Sequence, residues 1–288
     1  MLRTLAALVA AALVSGCSGG APATAPARSP GTTPGGTTGS ASPSVAPTSS
    51  APVVPAAPRN AACYRLTGRQ LTRPTNTSKP VPCAGVHTAR TIYVGTVDTV
   101  VDGHSVRVDS ATVQKQVATA CPRRLAAYVG GSRTSRDLSR LHVVWFSPTL
   151  AQSDRGARWF RCDLVVFAKG AALLELPRRD PLRRVLDRPR ALDTYGLCGT
   201  AAPGAPGFER VACRLGHSWR AIDTIPLSGG NRYPGARAVS RAGDAGCKAA
   251  ARSRAADTLK FTYGWEWPKA AQWAAGQRFG YCWVPTRD

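Results

Sequence analysis

Acidic residues are scarce in this chain, which has 16 Asp and Glu against 38 Lys and Arg in 288 residues and a formal net charge of +22. A pair of carboxylates for glycoside cleavage is therefore hard to place. The chain also lacks the Gly-x-Ser-x-Gly motif of serine hydrolases, a P-loop and a dinucleotide-binding fingerprint. We accordingly predict no catalytic residue, no cofactor and no bound metal.

Long apolar runs are also scarce. The run from Leu5 to Val14 is shorter than the roughly 20 residues that a membrane-spanning helix needs, but it matches the core of a signal peptide. It leads into Leu-Val-Ser-Gly-Cys at residues 13–17, which is similar to a bacterial lipobox. We expect residues 1–16 to be a lipoprotein signal peptide and Cys17 to carry a diacylglycerol, which places the protein on the extracytoplasmic face of the cell membrane. The alternative is an ordinary export signal that contains a cysteine.

The segment from residue 17 to residue 60 consists almost entirely of Ser, Thr, Pro, Ala and Gly, with Arg28 and Arg59 as its only charges. Such a segment cannot bury enough apolar surface to offset the entropy lost on ordering. We predict a disordered tether between the lipidated Cys17 and a folded part that begins near residue 61.

Arginine supplies most of the positive charge, with 32 Arg and six Lys, and the pI is about 10.7. A cationic protein held near a membrane attracts anionic headgroups and wall polymers. Nucleic acid is also a polyanion, but the predicted export and the absence of any helix-turn-helix or RNA-binding signature argue against it. We predict an anionic wall polymer, an anionic lipid or an envelope protein as the partner, together with the membrane itself.

Eight cysteines follow the tether, and an even number in an exported chain favours disulfides over a metal site. They divide into two sets of four, and each set allows three connectivities. We favour pairing in sequence order: Cys63–Cys83, Cys121–Cys162, Cys198–Cys213 and Cys247–Cys282.

The two sets of cysteines belong to a duplicated pattern. Six residues recur at a displacement of 120 positions: Trp145, Pro148, Gln152, Gly156, Arg158 and Cys162 return as Trp265, Pro268, Gln272, Gly276, Arg278 and Cys282. A Cys-x3-His-x2-Arg motif, which ends in Arg90 and in Arg220, is duplicated as well. We predict one repeat over residues 61–170, a charged and solvated connector over 171–195, and a second repeat over 196–288.

Each repeat is predicted to be a small α+β domain in which a short antiparallel sheet packs on one helix and disulfides supply rigidity. The first helix follows a cap at Asp109 or Ser110, and the second runs from a cap at Asp244 through Ala256. The shared pattern itself predicts a strand, a short helix with Pro148 at its first position, a glycine turn and a strand.

In its order of Cys, Cys-x3-His, a helical Cys and a closing Pro, Trp-x2-Gly-x-Arg-x3-Cys, each repeat resembles the septum formation-related domain of actinobacterial envelope proteins. The second repeat carries the closing signature in full, whereas Ser153 replaces its Trp in the first. Arg90 and Arg220 stand where family members place an acidic residue. The resemblance implies an exported, often membrane-anchored domain linked to septation, with no known reaction.

His87 and His217 follow a cysteine by four residues and could serve as metal ligands, as catalytic bases or as partners of a nucleophilic cysteine. Oxidation would remove the thiolates that the metal and nucleophile readings need. We favour imidazoles that hydrogen-bond a strand end beside a disulfide. His104 and His142 have no counterpart in the other repeat, so we assign them no role.

The repeated arginines are weak candidates for binding phosphate or carboxylate, since they could equally hold loop carbonyls. These are Arg90, Arg158, Arg220 and Arg278. Trp267 could stack on a sugar. We therefore expect a non-enzymatic envelope lipoprotein that binds or organises an anionic component, with a hydrolase using one His per repeat as the alternative.

Overall fold

The structure, a computed structural model, describes residues 53–179 and 182–286. The predicted signal peptide, Cys17 and most of the tether lie outside the described residues. The last eight residues of the predicted tether, 53–60, are described and have no regular secondary structure. None of the helices in the described residues has the length and apolar character that a membrane crossing requires.

Two antiparallel sheets, each with one long helix, form the described part of the chain, and the α+β prediction is confirmed. The first half contains β1 (Cys63–Tyr64), β2 (Ala89–Thr96), β3 (Val100–Val101), β4 (His104–Ser105), α1 (Ala111–Val129), α2 (Arg133–Asp137), β5 (Leu141–Phe146), α3 (Leu150–Asp154) and β6 (Trp159–Val166). The second half contains α4 (Ala191–Tyr195), β7 (Leu197–Gly199), β8 (Arg210–Ala212), β9 (Trp219–Pro226), α5 (Ala236–Arg252), β10 (Gly264–Glu266), α6 (Ala270–Ala274) and β11 (Phe279–Pro285). The strand orders are β1-β2-β6-β5 and β10-β11-β9-β7-β8, and β3 pairs with β4 in a separate two-stranded ribbon.

The duplicated pattern forms the same strand, short helix and strand in both halves. Trp145 pairs across the sheet with Cys162, and Trp265 pairs with Cys282 in the equivalent position. The repeated glutamine caps the short helix, because the backbone N–H of residue 149 donates to Oε1 of Gln152 at 2.9 Å and its counterpart at residue 269 does the same at 2.8 Å. The pattern therefore repeats for architectural reasons.

Glycine and proline in this pattern act at the ends of the short helix. Gly156 and Gly276 have φ of 92° and 93°, a region that side chains other than glycine rarely adopt. Pro148 does not take the first helical position that we predicted. It precedes the N-cap, Thr149, whose hydroxyl accepts the backbone N–H of the third helical residue at 3.2 Å.

The two long helices differ in how well their bounds were predicted. α1 begins after Ser110, as expected, and buries Val113, Val117 and Cys121. α5 begins at Ala236, eight residues before the predicted cap, so that prediction is wrong. Asp244 lies inside the helix, because the buried stripe continues towards the N-terminus through a glycine that carries no apolar side chain.

The four disulfides in the structure pair in sequence order: Cys63–Cys83, Cys121–Cys162, Cys198–Cys213 and Cys247–Cys282. One bridge in each half, Cys121–Cys162 or Cys247–Cys282, joins the long helix to the strand that follows the short helix. Each sheet is thus covalently linked to its helix.

The prediction that the connector, residues 171–195, is solvated is wrong. Its charged side chains are mostly exposed, but its leucines enter the core, where Leu176 is 5% exposed and Leu182 is 2% exposed. They pack in one cluster with Val129 of α1 and Ala212 of β8. The halves therefore share a core, because the apolar residues between the charges of the connector bury against both.

Hydrogen bonds also join the two halves. The backbone N–H of Leu197 donates to the carbonyl of Leu138 at 2.7 Å, and that of Ala212 donates to the carbonyl of Ala168 at 2.8 Å. Leu138 packs in a cluster with Tyr281 and other residues of the second sheet. The segment after α2 thereby covers the face of the second sheet that is not covered by α5.

Candidate functional site

The two predicted histidines make the same local contact. Nδ1 of His87 lies 2.9 Å from the carbonyl of Gly85, and Nδ1 of His217 lies 2.7 Å from the carbonyl of Leu215. A carbonyl only accepts, so each Nδ1 carries the proton and donates it. His87 is fully buried and His217 is half-buried. Both rings thus hold the turn that follows the second cysteine of their half.

His217 lies beside a disulfide rather than in a metal centre. Its ring and the sulfurs of Cys198 and Cys213 bring their potential ligand atoms within 4.8 Å of one another. The two sulfurs are bonded to each other. Cysteine ligates a metal as the thiolate, and the disulfide has none to offer.

The repeated arginines lie in different places and do not form one site. Arg278 donates to the carbonyl of Trp273 and stacks on its ring at 4.3 Å. Arg220 pairs with Asp193 at 2.7 Å. The remaining candidates are also dispersed: Nη1 of Arg90 is 3.8 Å from the sulfur of Cys63, Arg158 is exposed, and Trp267 is 37% exposed after β10.

A different set of arginines lines a cavity of about 540 Å³ between the halves. We call it the arginine cavity. It is bounded by the end of α1, the segment from α2 into β5, β8 and the turn into β11. The cations of its lining are Arg133, Arg136, Arg140 and Arg210.

Local sequence explains how three of these cations reach the cavity. α1 ends at two glycines, Gly130 and Gly131, each with φ of 72°, which turn the chain into α2. Ser132 caps α2 by accepting the backbone N–H of Ser135 at 3.0 Å. The guanidinium of Arg136 donates back to the carbonyls of both glycines, which ties the new helix to the end of the old one. Arg133, Arg136 and Arg140 lie along the segment that follows, and all three line the cavity.

Arg140 is the most deeply placed of the four, at 9% exposed. Its backbone N–H donates to the carbonyl of Tyr195 at 2.7 Å, and its Nε donates to the carbonyl of Phe167 at 3.2 Å. Among the described residues, no carboxylate lies within ion-pair distance of its guanidinium. Burial first, and then the positive charge of Arg210, lower the pKa of Arg140 to about 10.

Arg210, at the start of β8, enters the cavity from the second half. Its Nη2 is 2.9 Å from Oε1 of Glu266, and its guanidinium lies 4.8 Å from the ring centre of Tyr281. Arg133 has a similar partner, with its Nε 3.5 Å from Asp137. Two of the four cations therefore face a carboxylate, and the lining keeps an excess of about two positive charges.

Neutral polar and aromatic groups complete the lining. His142 faces the cavity and packs edge-on against Phe167, with ring centres 5.0 Å apart. The His142 side chain is exposed to solvent, and partial desolvation by the surrounding protein first, and then the positive charges of Arg140 and Arg210, lower its pKa. Burial also raises the pKa of Tyr281. The lining contains four arginines and the single carboxylate of Asp137, so the cavity can receive an anionic group.

A larger cavity, of about 650 Å³, lies between residues 56–64, the segment 76–83 and β6. Two cations line it: Arg59, which is exposed, and Arg161, which is 2% exposed and already pairs with Asp163 at 3.0 Å. The same guanidinium donates to Asn76 at 3.1 Å and stacks on Tyr64 at 3.8 Å. Because this charge is compensated within the protein, the arginine cavity is the better candidate.

The arginine cavity was not predicted, because its residues do not recur in the two halves. None of the four lining arginines belongs to the duplicated motifs, and His142 was set aside for the same reason. The only signal in the sequence was that Arg133, Arg136 and Arg140 lie within eight residues of one another. Arg210 is distant in sequence and gave none.

Fold and site together define a disulfide-stapled α+β protein with a cationic cavity between two related halves. Residues 132–282 match the family model described as "Septum formation", which is more than half of the chain, and the protein belongs to that family. The matched segment starts in the first half, ends in the second and contains all four arginines of the cavity. No curated protein and no solved structure matches the chain.

Proposed function

We propose that this protein is a non-enzymatic lipoprotein of an actinobacterial cell envelope that binds an anionic component of the wall or membrane in the arginine cavity. Two tandem septum formation-like repeats form its folded part, and a diacylglycerol on Cys17 holds it on the extracytoplasmic face of the membrane. The family membership, the lipobox-like sequence, the Pro- and Ser-rich tether and the net charge of +22 support this proposal.

The observation that carries the proposal is the state of Arg140. A buried cation without a carboxylate partner is costly, and Arg210 beside it adds repulsion. An anion bound between the two guanidinium groups would offset both costs through charge-assisted hydrogen bonds. A wall polymer, a lipid headgroup or an acidic surface of an envelope protein offers such an anion.

The geometry gives less support to an envelope hydrolase that uses His87 and His217. A general base must reach the proton that it abstracts. The ring of His87 has no exposed surface, and its Nδ1 is engaged by a carbonyl. The duplicated position thus has a structural use in both halves.

Thermal unfolding of the exported protein in increasing phosphate, with ionic strength held constant, tests the anion site. We expect phosphate to raise the midpoint, since a ligand at a hundred times its Kd adds about 2.7 kcal/mol to the free energy of unfolding. Arg140→Gln removes the unpaired cation, so this variant should be at least as stable without phosphate and should lose the phosphate-dependent rise.

The matched control is Arg158→Gln, which removes an exposed arginine outside the cavity. It has the same change in net charge and should keep the full response to phosphate. A response that is absent in the wild type, or equal in Arg140→Gln and Arg158→Gln, would contradict the proposed site.

The anchor is tested separately. We expect the wild-type protein to sediment with membranes and a Cys17→Ser variant to be released into the soluble exported fraction, because a missing thiol cannot be lipidated. Equal membrane association of the two proteins would contradict lipidation at this residue.

A further inference from the structure

The wall of the arginine cavity is not uniformly polar. The last two turns of α1 line it with Pro122, Leu125, Ala126 and Val129. These residues have the spacing i, i+3, i+4 and i+7 and so lie on one face of the helix. Leu125 and Ala126 are half-buried and Pro122 is exposed, so this apolar stripe is accessible from the cavity.

The rest of the apolar lining comes from the second half and from β5. It consists of Leu141, Leu197, Ala275 and the ring of Phe279. The cavity thus joins a cationic part to an apolar part. Its volume of about 540 Å³ lies in the range of small-molecule sites and is much larger than a single oxyanion requires.

The charge of the lining further narrows the class of ligand. Two of the four guanidinium groups face a carboxylate, which leaves an excess of about two positive charges. A phosphate monoester carries −1.5 to −2 charges near pH 7 and presents three acceptor oxygens, whereas a carboxylate or a sulfate ester carries one charge. A phosphate monoester therefore compensates the lining more fully than the other common anions.

We propose that the cavity binds an amphiphilic phosphate monoester, with the phosphate between Arg140 and Arg210 and the apolar part along Pro122, Leu125 and Ala126. This inference rests on the proposed function, because it names the ligand class of the same site. It predicts that the apolar part of the ligand adds affinity that inorganic phosphate lacks.

Calorimetric titration of the exported Cys17→Ser protein tests the inference, because this variant carries no lipid and needs no detergent. The probes are inorganic phosphate, octyl phosphate and octyl sulfate, each used as monomer. We expect octyl phosphate to bind at least tenfold more tightly than inorganic phosphate, which corresponds to about 1.4 kcal/mol. We also expect it to bind at least tenfold more tightly than octyl sulfate, whose chain is identical and whose charge is smaller.

Two substitutions at Ala126 test whether the apolar chain and the phosphate of the ligand both lie in the cavity. Ala126→Gln adds a polar side chain to the apolar stripe, so it should remove most of the advantage that octyl phosphate has over inorganic phosphate. Ala126→Glu adds a carboxylate of nearly the same size, which should weaken both ligands at least tenfold. Unchanged unfolding midpoints verify that both variants fold.

The outcomes separate this inference from the proposed function. If inorganic phosphate binds and octyl phosphate binds no more tightly, the amphiphile assignment is overturned while the anion site stands. Octyl sulfate binding as tightly as octyl phosphate would overturn the phosphate assignment. An advantage of octyl phosphate that persists in Ala126→Gln would place the chain elsewhere and also overturn the inference. If none of the probes binds, both proposals fail.

Phosphatidic acid offers the same chemistry from a bilayer. Flotation with phosphatidylcholine vesicles that contain phosphatidic acid distinguishes this source from a free amphiphile. We expect Ala126→Glu to reduce recovery with these vesicles relative to Ala126→Gln if the headgroup enters the cavity. Equal recovery of the two variants, with their difference in octyl phosphate binding intact, would overturn a bilayer source and retain the free amphiphile.

Discussion

Arg161 and Asp163 lie two residues apart on β6 and form an ion pair that is closed to solvent. Nε of Arg161 and Oδ2 of Asp163 are 3.0 Å apart. Their contact is an ion pair without hydrogen-bond geometry. The other carboxylate oxygen of Asp163 accepts from the hydroxyl of Thr91 at 2.7 Å. Burial raises the pKa of Asp163 to about 6, although Arg161 and Thr91 act in the opposite direction.

This carboxyl group makes the stability of the protein depend on pH. Between its ordinary pKa of 3.8 and about 6, the folded protein retains a proton that the unfolded chain has released. The free energy of unfolding should therefore fall as pH rises through this window. We expect urea unfolding between pH 4 and pH 7 to show this fall in the wild type and its loss in Asp163→Asn.

Asp109→Asn is the control for the titration. A hydrogen bond from Arg107 lowers the pKa of the exposed Asp109, so its contribution to stability is lost as pH falls and has the opposite sign. The variant should keep the wild-type decline between pH 4 and pH 6. A decline that survives in Asp163→Asn would show that another group is responsible.

The duplicated hairpins and the disulfide pairs could be predicted from the sequence because they depend on local requirements. A residue with φ near +90° favours glycine wherever it occurs, and a short helix needs an acceptor such as Gln152 at its N-terminus. These requirements recur with the pattern. The start of α5 could not be predicted in the same way, because Gly243 is a buried position of this helix and has no apolar side chain that would indicate the helix in the sequence.

The arginine cavity could not be predicted because it depends on how the two halves pack. Arg140 and Arg210 are 70 positions apart, and Leu138 and the buried connector residue Leu182 help to bring their segments together. The charges of the connector led to the prediction that it is solvated. Its leucines determine its position instead, because they are buried in the core. Repeated residues mark the scaffold that both halves share, whereas the contact between the halves depends on residues that occur once.

The duplicated histidines should differ in their importance for stability. His87 is fully buried and holds the carbonyl of Gly85, so His87→Ala should lower the free energy of unfolding by about 2–4 kcal/mol. His217 makes the same hydrogen bond but is half-buried, and His217→Ala should cost about 0.5–1.5 kcal/mol. Urea unfolding of both variants checks this order. Two variants as stable as the wild type would contradict a structural role for the imidazoles.

Removing a disulfide should cost more where it closes a longer loop. Cys121–Cys162 spans 41 residues and Cys198–Cys213 spans 15, for which the chain-entropy relation gives about 4 and about 3 kcal/mol. We expect the double alanine variant of the first pair to be the less stable of the two in urea unfolding. The difference between the two variants should become small once both are fully reduced, because neither chain then contains a closed loop. A thiol assay on the denatured, exported protein should detect no free thiol at these four cysteines, and finding one would contradict the pairing.

Gly243 should be a position of α5 at which alanine, a better helix former, destabilises the protein. A Cβ at this position would clash with Cζ2 of Trp265, whose indole N–H donates to the carbonyl of Ser240 at 3.0 Å and holds the ring in place. Overpacking of this kind costs about 1–3 kcal/mol, which exceeds the gain of about 1 kcal/mol in helix propensity.

Gly246→Ala is the matched control in the same helix, because its Cβ would meet the end of the Ile225 side chain at 3.1 Å and that side chain can shift. We expect urea unfolding to show Gly243→Ala less stable than the wild type and Gly246→Ala equal to it or slightly more stable. If both substitutions stabilised the protein, the close packing of α5 on β10 would be refuted, since helix propensity would then be the larger effect at both positions.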